Sequence, residues 1–315
     1  MYKKLWVMVS FIYLPVILLA GSNEKVSGFD FLRWEIGTRP ASMGGAFIAV
    51  IGDLNGLAYN PATLSGARNM EVNFTYLSYL LDIKSGFVGF NRAISTSGQL
   101  GIGIFYTNYG KFERTDVTGN SLGSFSPGDY VITAAYANSL PTGIRYGISV
   151  KFIQSRIDQY TAGAIAADAG IIYRIEKQNL NIGFVVKNFG KTVSKFMRVY
   201  EKLPVSYRAG IAKQLAHLPL LLNFNLIKYQ YNRSANLGGF YWALGGEFTV
   251  TSNFFLRWGY NSRGKEEKME TGDSHFAGVS LGLGIKYGKY CFDYGYSSYG
   301  ILGGMNYFTV TIPFF

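Results

Sequence analysis

Residues 37–66 read GTRPASMGGAFIAVIGDLNGLAYNPATLSG. The stretch holds six glycines and two prolines, yet its middle, 46–51, is apolar and compact. Gly44 and Gly45 can take positive φ or let another backbone come close. Asn60-Pro61 signals a turn, since the ring fixes φ at Pro61 and pushes Asn60 out of the α region. Taken alone, this is two turns around a short buried strand. The rest of the chain decides otherwise: residues 69–315 alternate apolar and polar side chains with almost no helical pattern. A compact, turn-rich segment ahead of such an array predicts a plug over 22–68 and a barrel over 69–315.

Period-2 alternation, the strand signal, predicts fourteen strands at 69–80, 84–94, 98–109, 128–139, 143–157, 163–175, 179–188, 205–214, 219–230, 240–250, 253–262, 274–287, 289–298 and 305–315. Most reach the ~9–11 residues that cross a bilayer at a tilt. In 143–157, Ile144, Tyr146, Ile148, Val150 and Phe152 oppose Arg145, Gly147, Ser149 and Lys151. In 253–262, Phe254, Leu256, Trp258 and Tyr260 oppose Arg257, Gly259 and Asn261. A soluble sandwich alternates too, but with strands of ~5–6 residues. Links after even strands are short, whereas those after odd strands include 110–127, 189–204, 231–239 and 262–273. Short turns on one side and long loops on the other are the outer-membrane barrel pattern. The class is all-β: a transmembrane antiparallel β-barrel of about 14 strands with a small N-terminal plug, both termini on the periplasmic side.

Composition agrees. Apolar residues are 48% of the chain, aromatics 17% and charged residues only 16%, against ~25% charged in soluble domains. Tyr and Phe number 24 each, which suits a lipid face with aromatic girdles. Residues 1–21 read as a signal peptide: basic Lys3 and Lys4, apolar 5–19, then Ala20-Gly21-Ser22 for cleavage. Removing Lys3 and Lys4 leaves 28 basic against 19 acidic residues, a net of +9. No basic run of five exists, which argues against nucleic acid. A basic surface suits contact with outer-membrane lipid. One cysteine, Cys291, and two histidines, His217 and His275, give neither an intrachain disulfide nor a metal cluster. The chain ends NYFTVTIPFF, which places Phe308, Val310, Ile312 and Phe314 on the lipid side and Pro313 near a strand end.

Parity puts twelve charges in the lumen: Glu71, Arg92, Arg145, Lys151, Asp168, Arg174, Lys187, Arg208, Glu247, Arg257, Lys286 and Asp293. They either grip the plug, Arg145, Lys151, Arg257 and Glu247 supplying partners for its backbone, or line a path that favours anions. Ser274-His275 has no nucleophile elbow beside it, and nothing fixes Asp53 and Asp168 as an acid/base pair. No catalytic set and no cofactor is expected. Gly101-Ile-Gly103 and Gly282-Leu-Gly284 lie in mid-strand, where they make room for the plug. The long links 110–127 and 189–204 are the candidates for partner contact.

The run GTRPASMGGAFIAVIGD followed by LAYNPATLSG resembles the N-terminal signature of the PorV/PorQ family, within the FadL-like group of outer-membrane barrels (the long-chain fatty-acid transporter group). Gly37, Arg39, Ala41, Met43, Gly44, Gly45, Ala46, Phe47, Ala49, Asp53, Asn60, Pro61, Ala62 and Leu64 carry it. Pro40 and Thr63 depart from it, standing where the family usually has a small residue and Gly. Gly37, Gly44, Gly45, Asp53, Asn60 and Pro61 are then the plug motif. The resemblance implies an accessory of type IX protein secretion that binds exported proteins or secretion components, without chemistry. Its alternative is a passive transporter of hydrophobic small molecules, as in the fatty-acid transporter group. The sequence leaves both open.

Overall fold

The computed structural model describes residues 28–79, 82–96, 98–196, 200–230, 240–265, 276–300 and 303–314. The expected signal peptide lies outside them, as do Ser274 and His275 and the links 231–239 and 266–275.

Among the described residues sixteen strands follow one another: β1 (Met70–Ser78), β2 (Lys84–Ala93), β3 (Gln99–Asn108), β4 (Phe112–Thr115), β5 (Ser121–Phe125), β6 (Gly128–Ser139), β7 (Ile144–Ile157), β8 (Tyr160–Ile175), β9 (Leu180–Ser194), β10 (Ser206–Gln214), β11 (Leu220–Tyr229), β12 (Phe240–Thr251), β13 (Phe254–Asn261), β14 (Val279–Tyr287), β15 (Tyr290–Ser298) and β16 (Gly304–Phe314). Fourteen of them form a closed antiparallel barrel, and β4 and β5 pair as a separate ribbon. β1 closes the ring against β16, with Val72 opposite Ile312 and Glu71 opposite Pro313. Closure leaves no free edge, as a sheet in lipid requires.

Pleating alternates burial along every wall strand. In β3, Gly101, Gly103 and Phe105 face in while Leu100, Ile102, Ile104 and Tyr106 face out. Leu256 and Trp258 on β13, Leu281 and Ile285 on β14, and Phe308 on β16 are likewise exposed. Exposed tyrosines stand near both rims: Tyr76, Tyr106 and Tyr296 at one, Tyr146, Tyr173 and Tyr290 at the other. An apolar belt between aromatic rims is the surface a bilayer selects.

Three sequence expectations shift. The link 110–127 holds the β4–β5 ribbon. β9 runs on to Ser194, because Asn188 takes φ 57 in a bulge opposite 167–169 rather than ending the strand. Arg92 faces outward, one residue past the inward Asn91.

Residues 37–65 pack against inward-facing residues of the wall, and 66–69 reach the rim. Residues 28–69 comprise one-turn helices at Thr38–Ser42 and Gly56–Tyr59 and 3-10 turns at Asp30–Arg33 and Pro61–Gly66. Asn60 is extended, its side chain accepts from the N–H of Ala62, and Pro61 opens the next turn. An Asx cap followed by proline at the first helical position builds the expected turn. The N–H of Gly28 donates to the carbonyl of Lys202, in the β9–β10 link at the long-loop mouth. Phe314 pairs with Met70 at the short-turn mouth. The described chain thus begins and ends at opposite mouths.

Candidate functional site

The barrel encloses a lumen whose wall differs from side to side. β12, β13 and β15 each turn one charged residue inward: Glu247, Arg257 and Asp293. Arg39 of the N-terminal segment donates through Nη1 to Asp53 at 2.8 Å and through Nη2 and Nε to Glu247 at 2.6 and 2.7 Å. Arg257 donates through Nε to Glu247 at 2.6 Å and through Nη1 to Asp293. Five side chains thus alternate in sign from the segment into the wall. A second set sits at the β8–β9 bulge. There Lys151 lies 2.6 Å from Asp168, whose other oxygen accepts from the N–H of Asn188 at 2.7 Å. Asp53 and Asp168 belong to these separate sets and form no pair.

Backbone groups of the segment need partners once out of water. The wall supplies them, mostly through amides. Asn181 donates to the carbonyl of Ala49, Asn225 to Gly45, Asn261 to Gly44, Asn91 to Arg68 and Gln99 to Ala67. Asn60 of the segment itself reaches Ile48. Of the four charged residues expected in this role only Arg145 fills it, at the carbonyl of Ser65. Lys151, Glu247 and Arg257 bind side chains instead. Lys187, on the carbonyl of Ala58, and Arg263, on that of Arg33, are further charged donors. Arg208 donates to Ser206 and Tyr229, and Lys286 stands half-buried near the short-turn end of β14. A signal for the amides was present: Asn181, Asn225 and Asn261 hold inward positions that charge alone does not flag.

The glycines of the motif are used as their type requires. Gly37, Gly44 and Gly45 have φ of 83, 64 and 77°. A Cβ on Gly44 would stand 2.8 Å from the backbone N of Tyr260. Opposite it, Gly259 leaves the space that the backbone of Met43 and Gly44 occupies. Of the mid-strand pairs, Gly101 faces Leu57 and Leu64, and Gly282 faces Ser42, so both clear the segment. Gly284 instead clears Asp293 and Arg257.

The other side of the lumen carries an apolar patch set among polar inward residues such as Thr75, Ser85, Thr107 and Thr133. Leu77, Phe87, Phe105, Val131, Ile153 and Ala164 face in from β1–β3 and β6–β8 and are buried against Phe29, Phe31, Leu54 and Leu57. Barrel interiors are normally polar, so this patch is a departure. Between it and the segment lies a cavity of about 40 Å³, lined by Phe31, Leu32, Trp34, Ile36, Phe87, Phe105 and Val131, with Thr133, Lys151 and Lys187 at its polar edge. Trp34 packs against Tyr79 and Tyr109, ring centroids 6.2 Å apart in each case. Cavities that take up benzene measure ~150 Å³, so a solute needs displacement of residues 28–36. Among the described residues no cluster of His, Cys, Asp and Glu could hold a metal.

No family model and no curated protein matches the chain. Solved structures do match in fold. The Pseudomonas putida toluene transporter TodX aligns over 91% of this chain and 97% of its own, with TM-score 0.57 and 12% identity. The CymD monoaromatic hydrocarbon channel covers 88% of this chain and 96% of its own, with TM-score 0.54 and 11% identity. A Pseudomonas aeruginosa FadL homologue gives TM-score 0.54 and 10% identity over 87% and 97%. The barrel therefore has the fold of the FadL-like channels. The resemblance to PorV/PorQ stays with residues 37–66.

Proposed function

We propose that this chain is a passive outer-membrane transporter of hydrophobic small molecules. One observation carries the reading: the buried apolar patch of Leu77, Phe87, Phe105, Val131 and Ile153, with a cavity between it and residues 31–36. An apolar solute gains from leaving water for such a surface, whereas a polar porin lumen gives it nothing. The FadL-like fold, shared with channels for toluene and other monoaromatic hydrocarbons, supports it. In this reading residues 28–68 are a plug, the short turns face the periplasm and the long loops face outside. The apolar cavity is closed at rest, and movement of residues 28–36 opens it. No chemistry is required of any side chain.

The second reading is an accessory of type IX secretion that binds exported proteins. Besides the resemblance of residues 37–66, it draws on the β4–β5 ribbon, whose residues are almost all exposed and whose tip presents Val117.

Flux of a fluorescent hydrophobic probe into proteoliposomes separates the two. The transporter admits the probe faster than empty vesicles, and Phe31→Asp with Phe105→Asp abolishes the gain without loss of the folded, heat-modifiable barrel. Flux equal to that of empty vesicles, together with crosslinking of an exported protein to the ribbon, replaces the first reading by the second.

A further inference from the structure

We propose that the short-turn mouth of the barrel is a docking surface for an acidic soluble protein, which collects the solute there. The proposal rests on the transporter reading and on the short turns facing the periplasm. Arg145 and Arg174 reach the mouth from inward positions on the neighbouring strands β7 and β8. Residues 65–68 of the segment run along the same rim, with Arg145 bound to the carbonyl of Ser65 at 2.7 Å, and end at exposed Arg68, whose carbonyl is held by Asn91. Lys177 stands exposed in the β8–β9 turn, and Lys213 donates to the carbonyl of Gln178 in that turn. Along this arc the acids are Glu176, 3.7 Å from Arg174, and Glu71, which is buried on β1 and faces Arg68. The opposite mouth is mixed: Arg114 pairs with Asp158, Arg33 with Asp30, and Asp82, Glu113 and Glu201 stand among its lysines.

Position decides the occupant. Arg145 and Arg174 share the inward parity of Ser149 and Asp168, while the lipid-facing neighbours at this rim are Tyr146 and Tyr173. The guanidinium groups therefore open on the water at the mouth rather than on lipid headgroups. The arc runs from the segment beside β2 to β10, many times the ~4.8 Å spacing of adjacent strands, too long for one small anion. A polyanionic surface matches it, and charge complementarity of this kind steers encounter. An apolar solute arriving here meets water, in which it is poorly solvated. A protein held at this rim spares it that step.

The test uses the mature barrel in phosphatidylcholine nanodiscs, with fluorescent poly-glutamate as the probe. The wild type binds the probe at low salt and releases it at high salt. The variant Arg68→Glu/Arg174→Glu/Lys177→Glu binds about tenfold more weakly or worse, as expected when several charge pairs are reversed. The control Lys84→Glu/Lys111→Glu/Lys191→Glu, at the other mouth, binds as the wild type does. Equal loss in both variants overturns the proposal, as does absence of wild-type binding. So does competition by monomeric glutamate at equal charge, which marks a small-anion site, or loss of binding in phosphatidylglycerol nanodiscs, which marks a headgroup site. Flux of the hydrophobic probe is measured on the same proteins. Flux retained without poly-glutamate binding removes the docking surface alone; absence of flux in the wild type removes the transporter reading and this proposal with it.

Discussion

Glu247 is the residue on which two arginines depend. It accepts from Arg39 of the segment and from Arg257 of the wall, and all three are largely out of water. Removing one partner of a buried pair leaves a bare charge and costs about 3–5 kcal/mol. Glu247→Gln should thus lower the urea midpoint of the barrel in micelles by several times the change caused by Lys177→Gln, at an exposed site. An equal shift in the two variants would show that water reaches the network. Gly44 makes a second residue-scale case. Its φ of 64° costs a residue with a side chain about 1–2 kcal/mol, and its missing Cβ faces fixed backbone at Tyr260. Gly45 faces the carboxylate of Glu35, the far end of a flexible side chain. Gly44→Ala should expose residues 37–66 to limited proteolysis more than Gly45→Ala does, with insertion intact in both. At this scale charge and glycine were legible in the sequence. The amide donors were legible only as inward positions, because an asparagine there does not show which carbonyl it satisfies until that backbone is in place.

Alternation told in from out along nearly every strand, since a half-turn per residue leaves few other readings. It failed at Asn188, which resembled a stop but sits in a positive-φ bulge where the register shifts; Arg92, by contrast, lies in regular register, and strict alternation from the inward Asn91 turns it to the outside. The ribbon β4–β5 was missed for another reason. Its residues are exposed on both faces, so no apolar period marks it. It is held instead by the stacked rings of Phe112 and Phe125, and at its tip by four hydrogen bonds from Thr118 and Asn120 to the carboxylate of Asp116. The lipid-facing assignment makes its own demand. Leu256 is exposed between Phe248 and Leu283 on the neighbouring strands. Leu256→Arg should destabilise the barrel by about 2–4 kcal/mol, the cost of arginine on the lipid face near the midplane; reversible unfolding into vesicles measures it. Ser280, on the inner face, is no neutral control. It is buried, bonds to Ser297 and lies beside Glu35, so an arginine there would strike the segment.

For the whole molecule the open question is what residues 28–66 do once the barrel has closed around them. They run from the long-loop mouth, where Gly28 meets Lys202, to the short-turn mouth, where Arg145 holds Ser65. Their lower part is fixed by the charged set and by the amide donors. Residues 28–36 lie outside the charged set and are held by the bonds of Gly28 to Lys202, of Arg263 to the carbonyl of Arg33 and of Ile36 to Tyr59, by Arg33 over the ring of Tyr229 and by the packing of Phe29, Phe31 and Trp34. Opening should therefore begin at this upper end, beside the apolar cavity, while the lower end stays docked. Deletion of 28–66 removes both parts. The strands that remain satisfy their own backbones through the closed ladder, so the shortened chain should still insert. Its lumen, relieved of the segment, is lined at mid-height by Glu247, Arg257, Lys151 and Asp168, and fills with water. Planar-bilayer recordings should then show a large, steady ion conductance, where the intact protein shows little. Restoring 37–66 alone should suppress most of that conductance yet leave the cavity open to hydrophobic probes. If the deleted barrel inserts and conducts no more than the intact one, the segment does not seal the lumen, and its anchoring to Glu247 serves stability alone.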